Sequence, residues 1–127
     1  MSNFTITSTV KRYPRKHPYE AMKQKILGSK YELSLAFVGK DRAATLNKIN
    51  RHKSYTPNVL SFPLTEDVGE IIICPETAKK EASKFRLSTD GYVAYLFIHG
   101  LLHLKGYDHS DTMDKLECQY LHVFNIS

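Results

Sequence analysis

The hydrophobic positions of the chain follow two spacings, one typical of strands and the other of helices. Apolar and polar residues alternate over residues 4–10 and 31–38, the pattern of a strand with one buried face. Residues 58–63 form a short run of strand-forming residues that ends at a proline, so we expect a strand with a free end or edge. Residues 70–74 are almost wholly apolar and predict a strand covered on both faces.

Apolar residues three and four positions apart predict five helices between and after these strands. The predicted helices cover residues 18–27, residues 41–51, a segment beginning at Pro75, residues 91–104 and a segment following Ser110. We expect Asp41 to cap the second helix, Thr89 or Asp90 the fourth, and Ser110 the fifth. The third helix should turn Phe85 towards the core. The fourth is apolar nearly all round, so it should lie at the centre of the protein.

This order of elements predicts an α+β fold with a single domain over residues 1–127. We expect about four strands in one sheet, about five helices packed on it, and the histidine-bearing fourth helix in a central position. The composition, with 42% hydrophobic and 24% charged residues, is ordinary for a globular protein.

The sequence also bears on the cellular location. Its first ten residues lack a cationic segment followed by an apolar run, so we expect no signal peptide. No apolar stretch is long enough to span a bilayer. Cys74 and Cys118 are too far apart for a CxxC pair, and each is predicted to be a small core residue. These features favour a cytoplasmic protein that does not interact with membranes.

Positive charge is concentrated in the first part of the chain. Residues 1–53 contain 12 Lys and Arg against 3 Asp and Glu, whereas residues 54–127 contain 6 against 10. The densest basic segment is residues 11–17. Such a segment is either a solvated basic face or a surface that binds a polyanion.

Three histidines near the C-terminal end are spaced as metal ligands. His99 and His103 lie four residues apart on a helix and therefore share one face. Gly106 can end that helix in the left-handed conformation, which would bring His109 back towards the other two. Three protein ligands with one open position are typical of a catalytic zinc, although imidazoles also suit nickel and copper. His17, His52 and His122 lack this spacing and are predicted to be surface residues.

The three histidines partly match the metzincin signature of zinc proteases. In those enzymes a glutamate that follows the first histidine acts as the general base, whereas this chain has Gly100 at that position. This difference argues against peptide hydrolysis, unless a remote glutamate lies beside the metal. Asp108 adjoins the third histidine; it is either a surface turn residue or, as we expect, a partner that orients one of the imidazoles.

The segment His-Gly-Leu-Leu-His-Leu-Lys-Gly-Tyr-Asp-His at residues 99–109 resembles the signature of the YbeY family of bacterial metal-dependent endoribonucleases. Further similarity lies in Leu46-Asn47, Arg51, Lys53 and the runs 58–63 and 69–74. The resemblance implies that His99, His103 and His109 bind one zinc ion. It also implies that Arg51 is a catalytic residue, a role that suits a guanidinium because it can brace phosphate oxygens.

Together these observations lead to two hypotheses. The first is a zinc-dependent, single-strand-specific endoribonuclease that acts in maturation of small-subunit ribosomal RNA and in RNA quality control, with RNA and the small ribosomal subunit as partners. The second is a ribosome-assembly RNA-binding factor whose metal is mainly structural. In the first case the nucleophile is either water or the RNA 2′-hydroxyl, and the sequence leaves both open.

Overall fold

The computed structural model describes residues 3–53 and 55–127, and it confirms an α+β fold with four strands and five helices. The strands are β1 (Phe4–Ser8), β2 (Glu32–Phe37), β3 (Val59–Thr65) and β4 (Val68–Ile73). The helices are α1 (Tyr19–Leu27), α2 (Lys40–Arg51), α3 (Pro75–Glu81), α4 (Thr89–Lys105) and α5 (Asp111–Val123), and a short 3-10 helix (Ala82–Phe85) follows α3.

The four strands form one mixed sheet in the order β1-β2-β4-β3. β1, β2 and β4 are parallel, and β3 pairs antiparallel with β4 through a short turn. β3 is an edge strand, and its register shifts between Pro63 and Thr65. An edge position tolerates a proline because one side of the strand needs no partner, as the sequence predicted.

Alternating side chains of the sheet point into two separate hydrophobic clusters. Leu35, Ile71 and Ile73 pack on one face with α1 and α4, whereas Ile72 packs on the opposite face with Ala43 of α2. All three isoleucines of β4 are at most 4% exposed. The prediction that this strand is covered on both faces is therefore confirmed.

α4 lies at the centre of the larger cluster, as its apolar sequence predicted, and it approaches the sheet closely at Gly100. A Cβ atom added to Gly100 would lie 2.9 Å from Ser61 Oγ and 3.0 Å from Ile71 Cδ1. At the end of the helix, Leu104 lies against Gly69, close to the start of β4. α4 therefore ends near the amino end of β4, and its last turns emerge there at the surface.

Two of the three predicted helix caps are wrong. α2 begins after Gly39, and Asp41 lies inside the first turn, where a carboxylate still faces the positive end of the helix. α4 is capped by Ser88, whose Oγ accepts a hydrogen bond from the Gly91 N–H at 2.9 Å. Ser110 caps α5 as predicted, with Oγ accepting from the Met113 N–H.

Two burial predictions are also wrong. Phe85 is 49% exposed, because it ends the 3-10 helix that follows α3, where one face of its ring stacks on Tyr92 and the rest stays in solvent. Cys118 is exposed on the outer face of α5, whereas Cys74 is buried as predicted. Across the described residues, none of the helices is both long enough and apolar enough to cross a membrane.

Candidate metal centre

The end of α4 redirects the chain so that three histidines meet. Gly106 has a φ of 115°, a left-handed conformation that a side chain would strain, and it ends the helix. The Gly106 N–H bonds to the His103 carbonyl and the Tyr107 N–H to the Leu102 carbonyl, both at 3.0 Å. This arrangement closes the last turn of the helix and brings residue 109 back towards it.

His99, His103 and His109 converge as the spacing predicted. Each offers a ring nitrogen, and these nitrogens all lie within 4.8 Å of one another. The Nε2 atoms of His99 and His103 are 3.0 Å apart. Two nitrogens bound to one tetrahedral zinc would be separated by about 3.4 Å, given Zn–N bonds of about 2.0–2.1 Å. The cluster could therefore hold one metal ion after a small adjustment.

Hydrogen bonds on the far sides of two rings fix how those rings are protonated. His103 Nδ1 lies 2.9 Å from the Tyr107 carbonyl oxygen, which can only accept, so Nδ1 carries a proton. His99 Nδ1 lies 2.5 Å from Glu117 Oε2, which assigns a proton to that nitrogen in the same way. In the neutral rings both Nε2 lone pairs then face each other, and they repel unless a proton or a metal cation lies between them. This donor set fits a metal.

The surroundings of His103 also favour neutral imidazole, the form that binds metals. Burial is the main cause that lowers the pKa of His103, and the neighbouring His99 lowers it further. His109, by contrast, is exposed, so the cluster is open to solvent on one side. A substrate can reach such a site without displacing protein.

Glu117 is the residue of this site that the sequence reasoning missed. It is only 3% exposed and lies on α5, four residues after the buried Met113. A carboxylate on the apolar face of an amphipathic helix is a signal that it has a partner, because an unpaired buried charge is costly. The expected orienting residue, Asp108, is exposed and supplies neither of the two hydrogen bonds that fix the rings.

A zinc protease has a glutamate base beside its metal. In this protein position 100 is a glycine without a carboxylate, and the carboxylate of Glu117 lies in a different place. The Cα of Gly100 faces Ser61 and Ile71, so a side chain there would meet the sheet. Glu117 bonds to Nδ1 of His99, on the opposite side of the ring from Nε2. Glu117 is therefore a remote glutamate close to the cluster, but it lies behind the His99 ring and not beside the converging nitrogens, so it does not support peptide hydrolysis.

The remaining candidate residues are not members of the histidine cluster. Arg51 is the last residue of α2, is exposed, and belongs to the helix that packs on the opposite face of the sheet from α4. Within the described residues, no hydrogen bond or ion pair joins its side chain to the histidines. His52 and His122 are exposed as predicted, and His17 is half-buried beside the Asp90 carbonyl. The catalytic role of Arg51 stays a prediction.

We expect Glu117 to tune metal affinity. Glu117→Ala removes the acceptor that holds the His99 ring, so zinc affinity should fall by about 10–100-fold, the usual cost of losing such an outer partner. A competition titration against a chromophoric zinc chelator measures this directly. Glu81→Ala is the matched control, because Glu81 also accepts hydrogen bonds from buried neighbours but lies away from the histidines. If a folded Glu117→Ala variant bound zinc as tightly as the parent, Glu117 would have no role in metal affinity.

Comparison with known proteins agrees with the geometry. A family model described as "Endoribonuclease YbeY" matches residues 2–124. Proteins named endoribonuclease YbeY are 40% identical over 83 residues in Methylobacillus flagellatus and 37% identical over 100 residues in Finegoldia magna. These alignments cover 63% and 73% of this chain but 56% and 65% of the relatives, so this chain spans less than two-thirds of either relative.

A solved structure shares the fold. The solution structure of TM1509 from Thermotoga maritima superposes with a TM-score of 0.69 at 28% identity, covering 93% of this chain and 86% of that one. The shared fold thus extends over nearly the whole of this chain. Because the family model matches nearly the whole length of this chain, the chain belongs to the endoribonuclease YbeY family.

Proposed function

We propose that this protein is a zinc-dependent, single-strand-specific endoribonuclease of the cytoplasm. Its proposed role is the maturation of small-subunit ribosomal RNA and RNA quality control, with the small ribosomal subunit as a partner. The observation that carries the proposal is the convergence of three solvent-accessible imidazoles, two of them fixed so that Nε2 faces a common point. The family name of the relatives supports the reaction class.

A phosphodiester substrate suits this site better than a peptide. Among the described residues no carboxylate joins the group of converging nitrogens, because Gly100 has no side chain and Glu117 lies behind His99. The first 53 residues carry an excess of nine positive charges, which attracts a polyanion. An unpaired strand can bend its backbone into an exposed site, whereas the regular backbone of a duplex cannot.

Each residue has a separate part in the proposed reaction. His99, His103 and His109 would hold the zinc, which when bound supplies a Lewis acid that withdraws electron density from a phosphate oxygen. Glu117 and the Tyr107 carbonyl keep the protons on Nδ1, so that Nε2 stays available. Arg51 would brace the phosphate and stabilise the negative charge that gathers on it.

The proposal is tested with one RNA in two forms. We expect the purified chain to cut a single-stranded oligoribonucleotide at least about tenfold faster than the same strand annealed to its complement. Stripping with a chelator should abolish cleavage, and added zinc should restore it. Elemental analysis of protein purified without a histidine tag identifies the metal. Cleavage that survives complete metal removal, or that is equally fast on duplex, would contradict the proposal.

The ends of the products identify the nucleophile. A 2′,3′-cyclic phosphate forms only if the RNA 2′-hydroxyl attacks, whereas attack by water leaves a linear phosphate. If the second hypothesis holds, the protein binds RNA without cutting it, and metal removal lowers its melting temperature strongly. The same preparation therefore separates an enzyme from an assembly factor with a structural metal.

A further inference from the structure

A cavity lies at the opposite end of α4 from the histidines. It has a volume of about 840 Å³ and is bounded by residues 10–17, by Val38 and Gly39 just before α2, and by the first residues of α3 and α4. Residues 10–17, residues 38–39 and α3 follow the carboxyl ends of β1, β2 and β4, respectively. The crevice at this edge of a parallel sheet is where ligands commonly bind in open α/β sheets.

The cavity is strongly basic. Its lining includes five Lys and Arg side chains, namely Lys11, Arg12, Arg15, Lys16 and Lys79. The two acidic residues that line it are Glu76 and Asp90, and Glu76 is already paired with Lys40 outside the lining at 3.7 Å. Among the described residues no ion pair neutralises any of the five cations. An anionic ligand would therefore meet little competition from the protein's own carboxylates.

The basic segment is held in place rather than loose. The ring of Tyr13 stacks on Phe37 with centroids 4.2 Å apart, and the Arg15 guanidinium lies 4.2 Å over the same ring. Arg15 also donates hydrogen bonds to the Tyr13 hydroxyl and the Lys11 carbonyl. The Tyr19 hydroxyl donates to the Pro14 carbonyl at 2.5 Å. A ligand that binds here gains contacts without having to order this segment first.

The character of the lining favours a phosphate backbone over a base or a single small anion. The stacked Phe37 and Arg15 already cover the ring of Tyr13, so it offers no platform for a base. Four of the five cations lie on one segment, residues 11–16, which spreads their main-chain attachment points along the cavity wall. Spread cations match successive phosphates of a strand, which are bound without regard to sequence.

α4 connects this cavity to the histidines. Asp90 lines the cavity and His99 follows nine residues later on the same helix, a distance of about 14 Å along the axis at about 1.5 Å per residue. We propose that the cavity is a second RNA site, which binds phosphates of the same single strand several nucleotides away from the bond that is cut. This inference rests on the proposed endoribonuclease function and assigns the substrate a second contact.

The test reverses two cavity charges and compares them with two neighbours. The exposed Arg12 and Lys16 line the cavity, whereas the exposed Lys80 and Lys84 lie on α3 and the following 3-10 helix outside the lining. The variants are Arg12→Glu with Lys16→Glu, and Lys80→Glu with Lys84→Glu, so the change in net charge is identical. Affinity for a labelled 2′-O-methyl oligoribonucleotide is measured by fluorescence anisotropy over a range of salt, and thermal melting checks the fold of each variant.

We expect the cavity variant to bind at least about tenfold more weakly near 0.1 M salt and to lose roughly 1.4 from the slope of log affinity against log salt, about 0.7 per phosphate contact. The outer variant should stay within about twofold of the parent. The cavity variant should also cut a long strand more slowly while cutting a strand too short to reach the cavity at the parental rate.

Four other results would overturn the inference, and they differ in what they leave standing. Equal weakening by both variants would show a general charge effect. Parental binding by the cavity variant, with cleavage intact, would remove the second site but leave the proposed function. A parent that neither binds nor cuts RNA would remove both. Adenosine monophosphate binding as tightly as the oligonucleotide would assign the cavity to a free nucleotide instead of a strand.

Discussion

His103→Ala is expected to abolish both metal binding and RNA cleavage while the fold persists. Its Nε2 is 3.0 Å from that of His99, so the substitution removes one of the converging ligands. Two remaining imidazoles bind zinc poorly, and zinc content should fall from about one per chain to near zero. Losing the Lewis acid removes several kcal/mol of transition-state stabilisation, so cleavage should slow by about a hundredfold or more.

The fold should survive because the turn after α4 does not depend on this ring. The Gly106 N–H to His103 carbonyl bond and the Tyr107 N–H to Leu102 carbonyl bond are both main-chain bonds that alanine preserves. The substitution loses the side-chain bond to the Tyr107 carbonyl, worth about 1 kcal/mol of stability. Circular dichroism and thermal melting measure the fold, and elemental analysis measures the zinc.

His122→Ala is the matched control, because this exposed histidine lies on α5 outside the cluster. It should retain parental zinc content and cleavage. A His103→Ala protein that keeps a full equivalent of zinc would show that the metal is held elsewhere. A variant that loses zinc and unfolds at room temperature would instead support the assembly-factor hypothesis, in which the metal serves the fold.

Most of the fold could be predicted because each element carries its own burial pattern. The apolar run of β4 and the nearly uniform apolar surface of α4 each indicated how many faces of the element are covered. Both predictions were confirmed. The start of α4 could not be assigned, since Ser88, Thr89 and Asp90 are all good caps. The structure selects Ser88, whose hydroxyl also donates to the main-chain carbonyl of Ser127, a tertiary contact with no local signature.

The metal cluster was predictable for a different reason, which is that its three histidines lie within eleven residues and one turn. The groups that orient them were not. The Tyr107 carbonyl belongs to the main chain and leaves no mark in the sequence, and Glu117 comes from the next helix. The basic segment was visible as charge, but the cavity it lines exists only because residues 38–39 and the starts of α3 and α4 meet there.

The catalytic role of Arg51 rests on the family resemblance alone, so it needs a test of its own. We expect Arg51→Ala to lower kcat by about a hundredfold, the usual loss when one donor to a developing oxyanion is removed. Zinc content should be unchanged, because the arginine lies on α2 and no hydrogen bond or ion pair among the described residues joins it to the histidines. Arg51→Lys should recover only part of the rate, as an ammonium keeps the charge but lacks the planar fork.

Arg42→Ala provides the matched control on the same helix, since Arg42 is equally exposed and carries the same charge. If long-range attraction of RNA were the whole effect, both alanine variants would raise KM alike and leave kcat unchanged. A loss of kcat confined to Arg51 would instead place its guanidinium in contact with the reacting phosphate. Parental cleavage by a folded, zinc-loaded Arg51→Ala protein would remove the assignment and leave the histidine cluster as the whole catalytic apparatus.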